Sequence, residues 1–209
     1  MKNNDFSSYW KNLNPLSFLS CAGILVMASS RLAHAIITAG AILFVFCLSS
    51  LVISAANNFL PKLARSVLYA FISSFFACVY LFVLWIISPL CALETFFIIM
   101  LSPVLFIAQG EKKHSQILKP VDALYSSFFE SLVQGILIMI FAIIREPLGF
   151  MSLSVPAGRH GIVFLFSTDA DAFFQIHLIA SSGGALLLLG YFLGLFEYFN
   201  KNKKIKEDN

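Results

Sequence analysis

The sequence predicts an all-α polytopic membrane protein with six transmembrane helices, arranged as two inverted three-helix repeats. The first reason is composition, because 59% of the 209 residues are hydrophobic and 12% are charged, whereas soluble domains average about 25% charged residues. The second reason is that the apolar residues form six segments, of which the first and the fourth are interrupted. The third reason is that the positive charges between the segments lie almost entirely on one side of the predicted bundle.

The two interrupted segments predict where a functional site would lie. The first runs from Asn14 to Ser30, with Ser20-Cys21-Ala22-Gly23 at its middle. Because its apolar part is shorter than the roughly 20 residues that cross a bilayer, we expect a helix that is broken or enters only partway. The fourth runs from Cys91 to Ala108 and is interrupted by Ser102-Pro103. Paired interrupted segments in corresponding positions of two repeats point to a site near the midplane.

The other four segments are predicted to be continuous spans, and Ser88-Pro89 ends one of them because proline removes a backbone donor. They cover Ala33–Ala56, Ser66–Ile87, Leu124–Ile144 and Phe173–Phe199. Polar connections are expected at Asn57–Lys62, at Gln109–Pro120 and in a long loop from Arg145 to about residue 172. The predicted organisation is therefore a cytoplasmic tail at 1–13, a six-span membrane domain at 14–199 and a Lys-rich cytoplasmic tail at 200–209.

Loop charges predict the orientation of the bundle. One side collects eleven basic residues: Lys2, Lys11, Lys62, Arg65, Lys112, Lys113, Lys119, Lys201, Lys203, Lys204 and Lys206. The other side has three: Arg31, Arg145 and Arg159. Because basic residues in short loops stay on the cytoplasmic side, both termini are predicted to be cytoplasmic, in a multi-pass protein of the cell inner membrane.

A few polar residues within the apolar segments are candidates for chemistry. Glu130 and Gln134 lie one turn apart in the fifth span, and ionisable groups inside a bilayer are costly enough to suggest function. Glu130 also lies only a few residues into its helix, so we favour a hydrated residue near the cytoplasmic interface. Glu94 is interpreted in the same way, as an interfacial residue. His177, in the sixth span, is interpreted as a hydrogen-bonded packing residue.

The remaining polar and small residues predict no catalytic set. Asp169 and Asp171 are expected to be solvated in an external loop. Three glycines of the sixth span share one face and predict close helix packing: Gly183, Gly190 and Gly194. The cysteines have neither disulfide nor zinc spacing: Cys21, Cys47, Cys78 and Cys91. Nothing resembles a nucleophile with its base, a phosphate loop or a nucleic-acid surface, and Ala33-His34-Ala35 only mimics a signal-peptide cleavage site.

Five short stretches, taken in order, carry a family resemblance. They are Asn14-Pro15, Leu51-Val52-Ile53-Ser54 leading to Pro61, the loop that contains Glu111, Arg145-Glu146 with Gly149, and Ser181-Ser182-Gly183-Gly184-Ala185. The last stands where the family has a Pro-Pro-Gly-Ala run. Together the stretches resemble the small six-span subunits of the Rnf and Nqr electron-transport complexes, nearest to the RnfE/NqrD branch, over nearly all of Asn14 to Phe199.

The resemblance implies a function in electron transport. In that family, two homologous subunits of inverted topology each contribute a broken segment with a cysteine to a 2Fe–2S centre at the midplane. The centre relays electrons between flavin-bearing or iron–sulfur partner subunits, and the electron flow is coupled to Na⁺ or H⁺ translocation. The implied partners are therefore an inverted homologous subunit, further redox subunits and the lipid bilayer, and no nucleic acid.

This chain departs from the family at the cluster position. Matching Glu94, Phe96 and Glu111 without gaps places the second family cysteine at Val104, whereas the first falls between Cys21 and Gly23. Valine cannot ligate iron, because iron–sulfur clusters are held by thiolates. We therefore expect a degraded iron–sulfur site, in which Cys21 is the remaining candidate ligand, and a structural role in the translocase complex without a catalytic set of its own.

Two other functions suit the same size and orientation. One is the substrate-binding membrane subunit of a small-solute, vitamin-type importer, for which Ala35 and Ala39 would supply a small-xxx-small docking pair. The other is a freestanding channel or transporter that uses Glu130. Neighbouring genes distinguish them, since flavin and ferredoxin-like subunits favour the redox complex and an ATPase module favours the importer.

Overall fold

The structure, a computed structural model, describes residues 15–56, 65–114, 120–158, 161–167, 177–192 and 194. It is mostly helical, with eight helices and one β-hairpin among those residues. The helices are α1 (Pro15–Ala28), α2 (Leu32–Ala56), α3 (Arg65–Ile87), α4 (Pro89–Met100), α5 (Ser102–His114), α6 (Pro120–Phe150), α7 (His177–Ala180) and α8 (Ser182–Phe192). The strands are β1 (Ser152–Pro156) and β2 (Ile162–Ser167).

Four stretches of helix are long and apolar enough to cross a membrane: α2, most of α3, the combined α4 and first part of α5, and α6. The membrane character predicted from composition is therefore confirmed by the helices. Six crossings and an inverted repeat remain predictions, because α1 and α8 are shorter than a bilayer-spanning helix and residues 168–176 and 195–209 lie outside the described part of the chain.

The first helix is short but not interrupted, which corrects the expected break. α1 begins at Pro15, a favourable first residue because a helix leaves that N–H unpaired in any case. It then continues without a break through Ser20-Cys21-Ala22-Gly23 to Ala28. Its 14 residues span about 21 Å, less than the roughly 30 Å of hydrocarbon. A turn at Ser29–Arg31 leads directly into α2.

The fourth segment is interrupted as predicted, at Leu101. The N–H of Leu101 bonds to the carbonyl of Ile98 at 3.1 Å, a tighter turn than the α-helix, and α5 starts at the next residue. The cause is local, because Pro103 has no N–H to offer to the carbonyl of Ile99. The hydroxyl of Ser102 donates to that carbonyl instead, at 2.7 Å. Upstream, Ser88 has extended backbone and Pro89 is the first residue of α4, so the predicted separation from α3 is confirmed.

The fifth span extends beyond its expected end, because α6 continues through Arg145 and Glu146 to Phe150. Pro147 is tolerated in the last turn, where losing one hydrogen bond interrupts little of the helix. The prediction of a long loop after Arg145 is also wrong in its first part, because β1 and β2 form an antiparallel hairpin there. Gly158 and Gly161 in its turn have φ of +57° and +76°, which glycine adopts without steric cost.

The core of the bundle is formed by α2, which packs along α6 and also contacts α3, α4 and α5. At the closest approach, a Cβ on Gly135 of α6 would lie 3.2 Å from the Cβ of Ala39. Phe46 of α2 meets Phe106 of α5 edge to face, with ring centroids 5.2 Å apart. By contrast, the outer face of α3 is apolar and exposed, as a lipid-facing surface requires, with Phe71 73% exposed.

The last segment differs from the continuous span that was expected, because it bends at Ser181 between α7 and α8. Its glycine face does not pack within the described chain. No heavy atom of the described residues lies within 4 Å of a Cβ added at Gly190 or Gly194, and both residues are exposed. The predicted close packing of this face is therefore not made by the described helices.

Candidate functional site

A buried arginine joins three segments that are far apart in the sequence. Arg145, near the end of α6, is 2% exposed. Its Nη1 donates to the carbonyl of Val26 at 2.7 Å and to Ser29 Oγ at 2.9 Å, both at the C-terminal end of α1. Its Nε and Nη2 donate to the carbonyls of Ile179, Ala180 and Ser181 at 3.1, 2.9 and 3.2 Å. Four of these five bonds go to carbonyls, and those of Val26, Ile179 and Ala180 lie in last turns, where a helix leaves carbonyls without intrahelical partners.

The next residue, Glu146, binds a backbone N–H at the N-terminus of a helix. Glu146 is fully buried, and its Oε2 accepts a 2.6 Å hydrogen bond from the N–H of Leu32, the first residue of α2. The pair thus places a cation at the C-terminal ends of α1 and α7 and an anion at the N-terminal end of α2. Both placements are favoured by the helix dipoles.

The hairpin of β1 and β2 also contacts the turn between α1 and α2. Ser154 of β1 is fully buried, and its Oγ accepts a hydrogen bond of 3.4 Å from the N–H of Ala33. Arg31, the last residue of the turn, has its guanidinium carbon 5.5 Å from the ring centroid of Phe164 in β2. The turn Ser29–Arg31 and the start of α2, hereafter the α1–α2 junction, are therefore fixed by α6 and by both strands.

A chain of three polar side chains leads from the α1–α2 junction to the surface of α4. His34 Nδ1 lies 3.1 Å from Ser30 Oγ, and His34 Nε2 lies 3.0 Å from Glu94 Oε2. The His34 side chain is 13% exposed and that of Glu94 is 49% exposed. Glu94 is thus a half-exposed residue with a defined partner, which refines its interpretation as an interfacial residue. The arrangement links the broken fourth segment to the start of α2.

The Glu130 region is more buried than expected. Glu130 and Gln134 are each 8% exposed, and Ser127 and Ser131 beside them are 0% and 1% exposed. The interpretation of Glu130 as a hydrated residue is therefore wrong, and its position near the cytoplasmic interface stays a prediction. The reason is that this face of α6 is turned into the bundle, where Phe141 contacts Phe192 of α8 with ring centroids 6.0 Å apart. His177, Asp169 and Asp171 cannot be compared, because their side chains lie outside the described residues.

The residues assigned to the family's iron–sulfur site do not fit a cluster of that kind. Val104 lies on α5, is 52% exposed and offers no ligand atom. Cys21 lies on α1, and its side chain is outside the described residues. Among the described cysteines, Cys47, Cys78 and Cys91 are free, and Cys91 is buried among apolar neighbours. No group of three or more His, Cys, Asp or Glu side chains able to hold a metal occurs in the described part of the chain.

In the sequence, Arg145 and Glu146 are marked only as a predicted loop charge and a stretch of the family resemblance, and His34 is missed as a polar residue with partners. The charge count changes on both sides, because Arg145 lies inside a helix, and Arg65, Lys112 and Lys113 of the opposite group lie inside helices as well. The available signal was the cost of placing ionisable groups in apolar segments. It applied to His34 as much as to Glu130.

Comparison with known proteins identifies no relative. The chain matches no protein-family model, and no curated protein is similar enough in sequence to be one. The function therefore has to be argued from the geometry described above.

Proposed function

We propose that this chain is an integral membrane subunit of an Rnf/Nqr-like complex that couples electron transfer to Na⁺ or H⁺ translocation. It serves as a structural subunit, with six spans in two inverted repeats, in the inner membrane and with cytoplasmic termini. Its partners are an inverted homologous subunit and flavin or iron–sulfur subunits. A 2Fe–2S centre of the family type is not part of the proposal, because Val104 cannot ligate iron.

One observation carries the proposal. Two of the five stretches on which the resemblance rests, Arg145-Glu146 with Gly149 and the run that begins at Ser181, contact each other beside the α1–α2 junction. Arg145 holds the end of the segment that starts at Asn14-Pro15, and it also holds Ser181 at the start of the Ser-Ser-Gly-Gly run. Gly149 approaches the second contact so closely that a Cβ there would lie 3.1 Å from the backbone of Ala180. Residues that contact one another are the ones whose order and spacing a family would keep together.

The charge arrangement supports a scaffold that is built around half-helices. Short helices that end inside a membrane need partners for their terminal backbone groups, because lipid supplies none. Here Arg145 binds the ends of α1 and α7, and Glu146 binds the start of α2. The same arrangement gives the subunit a rigid centre without any catalytic group, which suits a subunit whose redox chemistry belongs to its partners.

The importer alternative is weakened by where the small residues lie. Ala35 is fully buried, and Ala39 faces Gly135 of α6 inside the bundle. The small-xxx-small pair is therefore occupied within the chain and is not free to dock an energising module. Nothing in the described residues favours the freestanding transporter over the complex subunit.

The test is purification in a mild detergent through a tag on the C-terminus, with identification of co-purifying proteins and assay of iron and flavin in the same sample. A tagged membrane protein of similar size from the same cells is the control for non-specific capture. Recovery of flavoprotein and iron–sulfur partners is expected. Recovery of an ATPase module, or of the protein alone without flavin and iron, refutes the complex-subunit proposal.

The same preparation tests the degraded cluster site. Val104→Cys is expected to leave the iron content of the purified complex unchanged, because a cluster also requires the partner cysteines in matching positions. A complex that gains one 2Fe–2S centre on this substitution would contradict that expectation. Stoichiometric iron bound by the unmodified pair of homologous subunits would show that the assignment of Val104 is wrong.

A further inference from the structure

We propose that Glu94, His34 and Ser30 form a proton-transfer chain from the surface of α4 into the α1–α2 junction. It follows that the ion handled by this subunit is the proton. The inference rests on the proposed function and adds to it the identity of the ion and the residues that carry it.

The geometry of the three groups supports a directional path. The carboxylate of Glu94 is half-exposed, the imidazole of His34 is largely covered, and each of its nitrogens has one partner at hydrogen-bond distance. The path therefore runs from a half-exposed carboxylate to a covered imidazole to a hydroxyl. Histidine is suited to the middle position, because its two nitrogens can exchange donor and acceptor roles near neutral pH.

The transfer balances without leaving a charge on the ring. A proton from water binds Glu94, and Glu94 passes it to His34 Nε2. At the same time the proton on His34 Nδ1 moves to Ser30 Oγ, and the Ser30 hydroxyl, which is partly exposed, releases its own proton to a water molecule. The ring ends as the other neutral tautomer, and rotation of the ring or transfer in the reverse direction restores the starting form.

A buried acid lies on the far side of the same junction. Glu146 is fully buried and binds the N–H of Leu32, two residues after Ser30. Its other oxygen, Oε1, has no hydrogen-bond partner among the described residues. Buried polar atoms without a partner are uncommon and call for an explanation such as an ion, a water molecule or a transferred proton. The two cations of the junction are engaged elsewhere, Arg31 over Phe164 and Arg145 on backbone carbonyls.

The same groups are poorly suited to Na⁺. Hard cations are bound by several oxygen ligands, such as carboxylates, carbonyls and water. Here the imidazole of His34 lies between Ser30 Oγ and Glu94 Oε2, and each of these oxygens is within hydrogen-bond distance of a ring nitrogen. The arrangement passes a proton along hydrogen bonds and does not surround a metal ion with oxygens.

The experiment uses membrane vesicles that contain the whole complex. Electron transfer to an artificial acceptor is measured in the presence of an uncoupling ionophore. In the absence of the ionophore, the internal pH is followed with a dye and Na⁺ uptake is followed with a radioactive tracer. His34→Gln and Glu94→Gln are expected to reduce the protons moved per electron at least tenfold, with uncoupled electron transfer within twofold of wild type. Ser73→Ala is the matched control, because the Ser73 hydroxyl bonds to the carbonyls of Tyr69 and Ala70 within its own helix, α3.

Chemical rescue separates proton transfer from a structural effect. Azide or formate, small weak acids that deliver protons, should restore proton movement in Glu94→Gln vesicles, whereas a packing defect would not respond. If the His34→Gln complex does not assemble, the Glu94→Asp variant tests the proposal instead. Because this variant retains a carboxylate, it should move at least a third as many protons per electron as the wild type, and a lower ratio would contradict the proposal.

The possible failures are distinct. If wild-type vesicles show no electron-driven ion movement, both the proposed function and the proton-transfer chain are refuted. If wild-type vesicles move protons and the substitutions His34→Gln and Glu94→Gln do not change that movement, only the proton-transfer chain is refuted. Electron-driven Na⁺ uptake without proton movement retains the complex and overturns the choice of ion.

Discussion

Replacing Arg145 with methionine is the most informative perturbation of the fold. Methionine keeps a long unbranched side chain in the same space and removes all five hydrogen bonds of the guanidinium. The carbonyl groups at the ends of α1 and α7 then lose a charged partner in a region that the protein shields from water. We therefore expect a large loss of stability with no change in the helices that lie far from the site.

The magnitude follows from the number of bonds. Interhelical hydrogen bonds in membrane proteins contribute on average about 0.6 kcal/mol each, so five bonds give about 3 kcal/mol. That loss lowers the equilibrium constant for folding by about 150-fold, since 1.4 kcal/mol is a factor of ten. Arg145→Lys retains the charge but has only three donors, so it loses at least two of the five bonds and about 1 kcal/mol.

The assay is reversible unfolding in mixed micelles by titration with sodium dodecyl sulfate, followed by circular dichroism. Arg31→Met is the matched control, because Arg31 makes a cation–π contact at the edge of the bundle, worth about 0.5–1 kcal/mol at exposed sites. The expected order of stability is wild type, then Arg31→Met and Arg145→Lys, then Arg145→Met. An Arg145→Met protein within 0.5 kcal/mol of wild type would refute this reasoning, with 0.5 kcal/mol taken as about the effect of a neutral surface substitution.

Substitutions at three further positions test contacts between helices in the same assay. Gly135→Val should destabilise by about 1–3 kcal/mol because its added carbons enter the contact with Ala39, whereas Gly135→Ala should be nearly neutral; equal effects would contradict the close approach. Gly149→Ala should cost at least 1 kcal/mol despite the higher helix propensity of alanine, because its Cβ meets the rigid backbone of Ala180, and a stabilised variant would be inconsistent with that contact. Tyr80→Phe should cost about 0.5–1.5 kcal/mol by losing a 3.0 Å hydrogen bond to a carbonyl of α2, and an unchanged stability would show that this bond contributes nothing.

The Arg145-Glu146 pair explains how a chain with few charges places two of them deep in the fold. Each charge is matched to the terminal backbone groups of a helix, so neither depends on the other for a direct ion pair. The turn between α1 and α2 is short because both of its ends are held, by Ser29 on one side and Leu32 on the other. The polar chain through His34 begins at this fixed turn, which keeps the three side chains in register.

The local features of the fold could be read from the sequence. The bounds of α2 and α3 agree within one residue with the apolar runs that predicted them, because run length and flanking polar residues define a span. Ser88-Pro89 and Ser102-Pro103 marked real interruptions, because the missing proline N–H acts on the helix in which it lies. By contrast, Pro147 did not end α6, since a proline near the end of a helix removes only one bond there. The hairpin was harder to predict, because β1 alternates polar and apolar residues whereas β2 is a continuous apolar run.

The sequence by itself determined that the chain forms long apolar helices, where α2 and α3 begin and end, and that the fourth segment is broken, although it also predicted a break in the first. These properties depend on neighbouring residues and on the exclusion of water from unpaired backbone groups. Only the tertiary structure decided which polar residues meet, since Arg145 contacts a carbonyl 119 residues away and His34 contacts a carboxylate 60 residues away. Such contacts leave no local pattern, because each side chain fits its own helix equally well without its partner. The function of this protein is therefore to be sought where those distant residues come together.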